Sequence, residues 1–197
     1  KLASYWKNTL KNFSPTQLQT DFIRPTNFDY RGDFFFFELN ENLSNQLNKI
    51  SQTKKCTLFS VLLSGFIILL SKYTDENDIT LGVPFANRQY EQIENIIGFF
   101  VNTLPLRTII KQNITFYQLI ETVSANLLEH QQHQDFPCDK LVQELSISPD
   151  TSRHPLFQIM FAIEKFDLSK KKNELFQEIP IHQYYKMVYQ ILYTMLC

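Results

Sequence analysis

The side chains in this 197-residue chain best suited to ligate, exchange protons or attack are its four histidines and three cysteines. Two histidines fall in one polar run, Glu129-His130-Gln131-Gln132-His133-Gln134-Asp135. At a spacing of three, His130 and His133 could share a helix face. A zinc site needs a third ligand and usually the HExxH arrangement, but the residue after His130 is Gln. The run therefore reads as a polar helix end, with imidazoles near the negative end of the helix dipole, and no metal is expected. Cys138 lies close to His133 and Asp135 and is the more suggestive thiol. Cys56 follows Lys54 and Lys55 but precedes an apolar helix and reads as structural, because a reactive thiolate needs a base and an electropositive setting. Ser152 and His154 are two residues apart, and nothing in the sequence makes their side chains meet. The remaining chemical outlier is Asn102, inside Ile97–Arg107, IGFFVNTLPLR. Its aromatic and β-branched neighbours predict a buried strand over Phe99–Val101. A buried amide without partners costs about 1–3 kcal/mol. Asn102 thus either fastens the fold or faces a cavity where something else binds. Pro105, lacking an N–H, belongs at a strand end or on an edge.

The elements that position these groups follow from periodicity. Residues 1–13 read as a short helix with Leu2, Tyr5, Trp6 and Leu10 on one face. Residues 14–33, with Pro15 and Pro25, read as a surface connector. Phe34–Leu39 is expected as a strand buried on both faces. A helix with Leu43, Leu47 and Ile50 on one face follows. Thr57 then opens a dense run in which 10 of the 13 residues Leu58–Leu70 are large and apolar. A membrane span needs about 20 such residues, so this is a core helix, and Ser60, Ser64 and Gly65 would let another element approach it. Ile79–Val83 is a short strand leading into PFANR and a polar loop. Thr115–Gln131 is an amphipathic helix, with Phe116, Leu119, Ile120, Val123, Leu127 and Leu128 on its stripe and Thr115 or Asn113 as its cap. A short helix over Pro137–Leu145 and a strand over Leu156–Ile163 complete the series. Alternating strands and helices give an α/β class or an α+β sandwich, a mixed sheet with helices packed on it.

Composition excludes several functions. Hydrophobic residues make up 44% and charged residues 20%, ordinary for a globular domain. The formal net charge of −1 offers no field for nucleic acid or an anionic membrane. Lys170–Lys172 is too short for a nucleic-acid footprint. Four glycines, scattered, cannot write a GxGxxG or P-loop signature. Three distant cysteines without CxxC spacing imply a reducing, cytoplasmic setting. KLASYWKNTL has no signal-peptide h-region, and a start without Met is expected of a piece of something longer. On these grounds alone the chain is a soluble domain without a self-evident active site.

Three stretches in order resemble one family. IGFFVNTLPLR (Ile97–Arg107) resembles the IGxFVNTxxxR motif of condensation domains in nonribosomal peptide synthetases. HQDFPCDKLV (His133–Val142) resembles HQDxPFExLV, with Cys138 and Asp139 in place of Phe and Glu. DTSRHPLFQIMF (Asp150–Phe161) is similar to RDxSRxPLFQVMF, with Pro149 where Arg is usual. TLFSVLLSGFIILLSKYTDENDITLGVPFANR at 57–88 resembles the family's helix-turn-strand segment. The likeness covers about residues 1–165.

The resemblance implies a chloramphenicol-acetyltransferase-like half-domain. Two such halves form a V around a tunnel that admits two carrier-protein phosphopantetheine arms. There an aminoacyl amine attacks an acyl or peptidyl thioester and an amide forms. The family's HHxxxDG, whose second His positions or deprotonates the amine, belongs to the N-terminal half and cannot be written in this sequence, so no catalytic residue is assigned. By the same resemblance Asn102, Thr103 and Arg107 belong to the substrate tunnel, and Gly98, His133, Gln134, Asp135, Pro137, Asp150, Arg153 and Pro155 are motif residues that hold the structure. No cofactor is expected to bind directly; substrates arrive on phosphopantetheine. The implied partners are the N-terminal half, peptidyl carrier domains and an adenylation domain of the same synthetase. Residues 1–175 are expected as the C-terminal subdomain, and 176–197 as an atypical tail, truncated or frame-shifted. The alternatives are a non-catalytic carrier-binding module and part of a CoA-dependent acyltransferase of the same fold.

Overall fold

A computed structural model describes residues 2–163 except 24, 27–34, 36 and 149. The tail from 176, Lys170–Lys172 and part of the 14–33 connector lie outside the described residues. In chain order the elements are α1 (Leu2–Thr9), α2 (Glu41–Lys54), α3 (Leu58–Thr74), β1 (Asp78–Phe85), α4 (Glu91–Glu94), β2 (Asn102–Ile109), α5 (Phe116–Gln132) and α6 (Cys138–Glu144).

Local chemistry sets the helix ends. Asn40 accepts from the Leu43 amide at 2.9 Å to start α2. Thr57 accepts from the Ser60 amide at 3.1 Å to start α3. Both helices stop at non-glycine left-handed residues, Lys55 (φ 50°) and Asp75 (φ 57°). Of the two candidate caps for α5, Thr115 is the one used: it forms a reciprocal capping box with Gln118, while Asn113 turns the chain at φ 60°.

β1 and β2 are antiparallel, in register from Asp78 opposite Ile109 to Phe85 opposite Asn102. Pro105 sits within β2 opposite Gly82, tolerated because β2 is paired on one side only among the described residues. The other edge of β1 is closed by two segments. The Thr16 hydroxyl accepts from the Thr80 amide at 2.8 Å. Gly82 and the 159–161 segment exchange backbone bonds of 2.8 and 2.9 Å, a parallel bridge where a strand over Leu156–Ile163 was expected. Two hydrophobic clusters are built on this sheet. One gathers Leu63, Ile67, Ile79, Leu81, Leu106 and Leu119 between the sheet, α3 and α5. The other gathers Trp6, Leu10, Leu104, Leu141, Leu156 and Phe157 beneath α1 and α6.

Several expectations need correction. The described positions of the 34–39 run carry no strand, and Phe35 is 88% exposed. Phe99–Val101 is not a buried strand either: β2 begins one residue later and Phe99 is 93% exposed. In α3, Ser60 and Ser64 are buried, but Gly65 faces open space. No single helix among the described residues is long and apolar enough to cross a membrane; α2 and α3 pass only as a pair bent by 111°, and most of the apolar face of α3 lies in the core.

Gly82 is the glycine that close packing requires. A Cβ there would lie 2.6 Å from the Phe157 ring, which is itself stacked on His154 at 4.0 Å. Gly82→Ala should destabilise the fold by about 1–3 kcal/mol through overpacking, measured by urea denaturation.

Candidate functional site

Asn102 opens β2, half-buried, and its amide nitrogen donates to the carbonyls of Gln134 (2.7 Å) and Phe136 (2.9 Å). Both amide protons are thereby used to pin the α5–α6 turn to the start of the strand. The fastening reading of Asn102 is met by its amide nitrogen. Nearby, Gln89 donates to Asp135 Oδ1 at 3.2 Å, so the β1–β2 connection is tied to the same turn. Thr103 follows in β2, also half-buried.

The histidines are packed against α1. The His130 Nδ1 lies 2.7 Å from the Asn126 carbonyl, which can only accept, so this nitrogen carries the proton. The Tyr5 hydroxyl is 3.0 Å from the same nitrogen. Nε2 is buried without a well-formed partner among the described residues. Burial pushes the His130 pKa down to about 4, opposed by the backbone groups of Asn126 and Pro105 and aided by His133. His133 donates from Nδ1 to the Glu129 carbonyl at 2.8 Å and stacks on Tyr5 with ring centres 3.8 Å apart. Its own carbonyl accepts from the Trp6 indole at 3.2 Å. The pair reads as a joint between α1 and the end of α5. Among the described residues no three His, Cys, Asp or Glu side chains are placed to share a metal ion.

The other nucleophile candidates are similarly occupied. Burial, then the nearby Asp139, pushes the Cys138 thiol up to about 11, so it stays protonated. Burial also raises Cys56. The Ser152 hydroxyl donates to Asp150 Oδ1 at 2.6 Å and makes no bond to His154, whose Nδ1 accepts from the Leu156 amide at 3.3 Å. The Ser152 hydroxyl and amide and the Arg153 Nε hold the Asp150 carboxyl at about 2. A cavity of about 590 Å³ lies against this turn, lined by Phe13, Asp150, Arg153, His154 and Pro155 among others, but no β2 residue borders it.

The donors of Arg107 are all engaged within the chain. Its Nε and one terminal nitrogen grip Asp78 at 2.9, 3.1 and 2.6 Å, and the other terminal nitrogen reaches the carbonyls of Thr9 (3.1 Å) and Lys11 (2.8 Å). It therefore joins β1, β2 and the end of α1, and the Asp78 hydrogen bonds raise its pKa further. Arg107→Ala should cost about 2 kcal/mol, and Arg107→Lys should restore less than half, because an ammonium lacks the planar fork. Denaturation followed by fluorescence of the one tryptophan, Trp6, checks this directly at α1.

Three contributors escaped the sequence reading: Asp78, Tyr5 as the partner of two histidines, and Arg88. Arg88 stands in PFANR, where only its placement between a strand and a long loop could have marked it.

The family model described as Condensation domain matches residues 1–193. Surfactin synthase subunit 1 of Bacillus subtilis (strain 168) is 42% identical over 165 residues, 83% of this chain and 5% of that protein. A crystallised four-domain nonribosomal peptide synthetase bound to AMP and glycine is similar with a TM-score of 0.83 and 30% identity, over 96% of this chain and 14% of that one. The condensation domain from Monacolin K polyketide synthase shares the fold at a TM-score of 0.65 and 21% identity, over 81% of this chain and 40% of that one. The chain thus spans a small fraction of the synthetases it matches.

Proposed function

The chain belongs to the condensation-domain family of nonribosomal peptide synthetases, and from that premise we propose that it is the C-terminal half of such a domain, one wall of the amide-forming tunnel. In that reaction the amine of a carrier-bound aminoacyl thioester attacks the carbonyl of a second carrier-bound thioester. The C–N bond forms, the thiol of the donor phosphopantetheine arm leaves, and a base takes the amine proton. The N-terminal half supplies that base. The described histidines here serve otherwise: His130, His133 and His154 each engage a backbone group and an aromatic ring.

One observation carries the reading. The three family motifs, 97–107, 133–142 and 150–161, converge on a single wall. Asn102 bonds the first to the second, and Leu104, Leu141, Leu156 and Phe157 put all three into one core. With the Asn102 Nδ2 committed to that joint, Asn102 Oδ1 and the Thr103 hydroxyl are the groups this wall offers the tunnel. Carrier and adenylation domains of the same synthetase are the partners that load it.

A condensation assay with loaded carrier proteins tests this. The chain alone should form no amide. Mixed with the segment of surfactin synthase subunit 1 that precedes its matched region, it should form amide product. Turnover by this chain alone, comparable to an intact domain, would overturn the reading.

A further inference from the structure

Sixteen residues join Phe85 to Asn102, far more than the roughly 2–5 of an ordinary hairpin. Only Glu91–Glu94 among them are helical. One side chain gathers the remainder. The Arg88 guanidinium donates to the carbonyls of Ile93, of Glu94 at 3.2 Å, of Ile96 at 2.8 Å and of Gly98 at 3.4 Å. It also lies 4.3 Å over the Phe100 ring. The last carbonyls of a helix have no partner within it, and a planar fork with five donors can satisfy several at once.

The loop so held presents Ile97 and Phe99 almost wholly to solvent, 101% and 93% exposed. Two large apolar side chains on a preorganised support gain affinity for a partner with little ordering cost. The loop runs directly into Asn102 and Thr103, so whatever faces those residues across a tunnel also meets the loop. The likeness covers only 40% of a condensation domain of this fold, so more than half of that domain lies outside the part this chain matches.

We propose that Arg88 is a positioning residue that shapes the 86–101 loop so that Ile97 and Phe99 form the anchor on which the N-terminal half of the domain seats. The partner rests on the half-domain reading above; the organising role of Arg88 stands on its contacts.

The test uses this full chain and, as probe, the segment of surfactin synthase subunit 1 that precedes its matched region. Binding is read by calorimetry and loop order by amide hydrogen exchange. Arg88→Met and Arg88→Lys should speed exchange at 89–100 by about tenfold or more while α3 and α5 stay protected. Both should weaken binding by about tenfold or more, with no rescue by Lys, since charge alone cannot bridge four carbonyls. The double variant Ile97→Ser, Phe99→Ser should weaken binding as much with loop exchange unchanged. Wild-type loop exchange in the Arg88 variants overturns the proposal, and so does faster exchange with undiminished binding. If the wild-type chain itself fails to bind the probe, the half-domain reading falls and takes the partner with it, while the exchange result separately decides whether Arg88 organises the loop.

Discussion

Trp6→Ala is expected to lower the free energy of unfolding by about 3–5 kcal/mol, the usual range for emptying a buried indole site. Trp6 is 0% exposed and fills the centre of the second core. Its ring meets His130 edge-on at 4.8 Å and Tyr5 at 5.2 Å. Its N–H satisfies the His133 carbonyl, which the alanine variant would leave without that donor. Because domains of this kind are stable by only about 5–15 kcal/mol, such a loss leaves a measurable unfolded population. Trp6→Phe keeps most of the apolar area and gives up the hydrogen bond, so about 1–2 kcal/mol is expected. Urea denaturation followed by far-ultraviolet circular dichroism separates the two. If both variants unfold at the wild-type midpoint, α1 is not part of the cooperative unit.

Mild acid should weaken the fold well before carboxylates protonate. His130 has its proton on Nδ1, bound to the Asn126 carbonyl, so a second proton would go to the buried Nε2, where burial outweighs the help of the Pro105 backbone. Its pKa therefore falls from 6.5 in the unfolded chain to about 4 in the folded one. Between those values the unfolded state binds the proton and the folded state refuses it. The contribution is complete above pH 6.5, is lost as pH falls toward 4, and does not fall further below that. The shift corresponds to about 3 kcal/mol. His154, also lowered by burial, acts with the same sign in this range. Asp150 acts lower, between its ordinary 3.8 and about 2, so it does not blur the window. Urea midpoints at pH 7.5, 6, 5 and 4.5 should fall steadily. His130→Gln should flatten most of that slope while lowering stability at pH 7.5. An unchanged slope in the variant would place the acid sensitivity elsewhere.

These two expectations concern residues that the sequence showed only as types. Trp6 was visible on an apolar helix face, but not that its indole would meet two histidines from a helix some 125 residues on. His130 and His133 looked like a potential ligand pair because spacing places them on one face. Their Nδ1 atoms are taken by backbone carbonyls of their own helix, and Tyr5 of α1 packs against both rings. Arg107 shows the same limit: nothing near it in the chain marks Asp78 and the end of α1 as the groups that claim its donors.

What the sequence determined by itself is local or linear. The apolar run of α3 and the apolar stripe of α5 follow from short-range spacing. So do the motif strings, which depend on neighbours in the chain, and from them the family and its α/β fold. What only the tertiary structure decided depends on groups remote in sequence. Asn102 fastens the fold through its amide nitrogen, and that rests on two carbonyls more than thirty residues away. Phe99 read as buried because apolar composition records a preference to leave water. It does not record which surface does the covering. Here that preference is left unmet on a loop held by Arg88, because burial is a property of the assembled surfaces and not of the side chain alone.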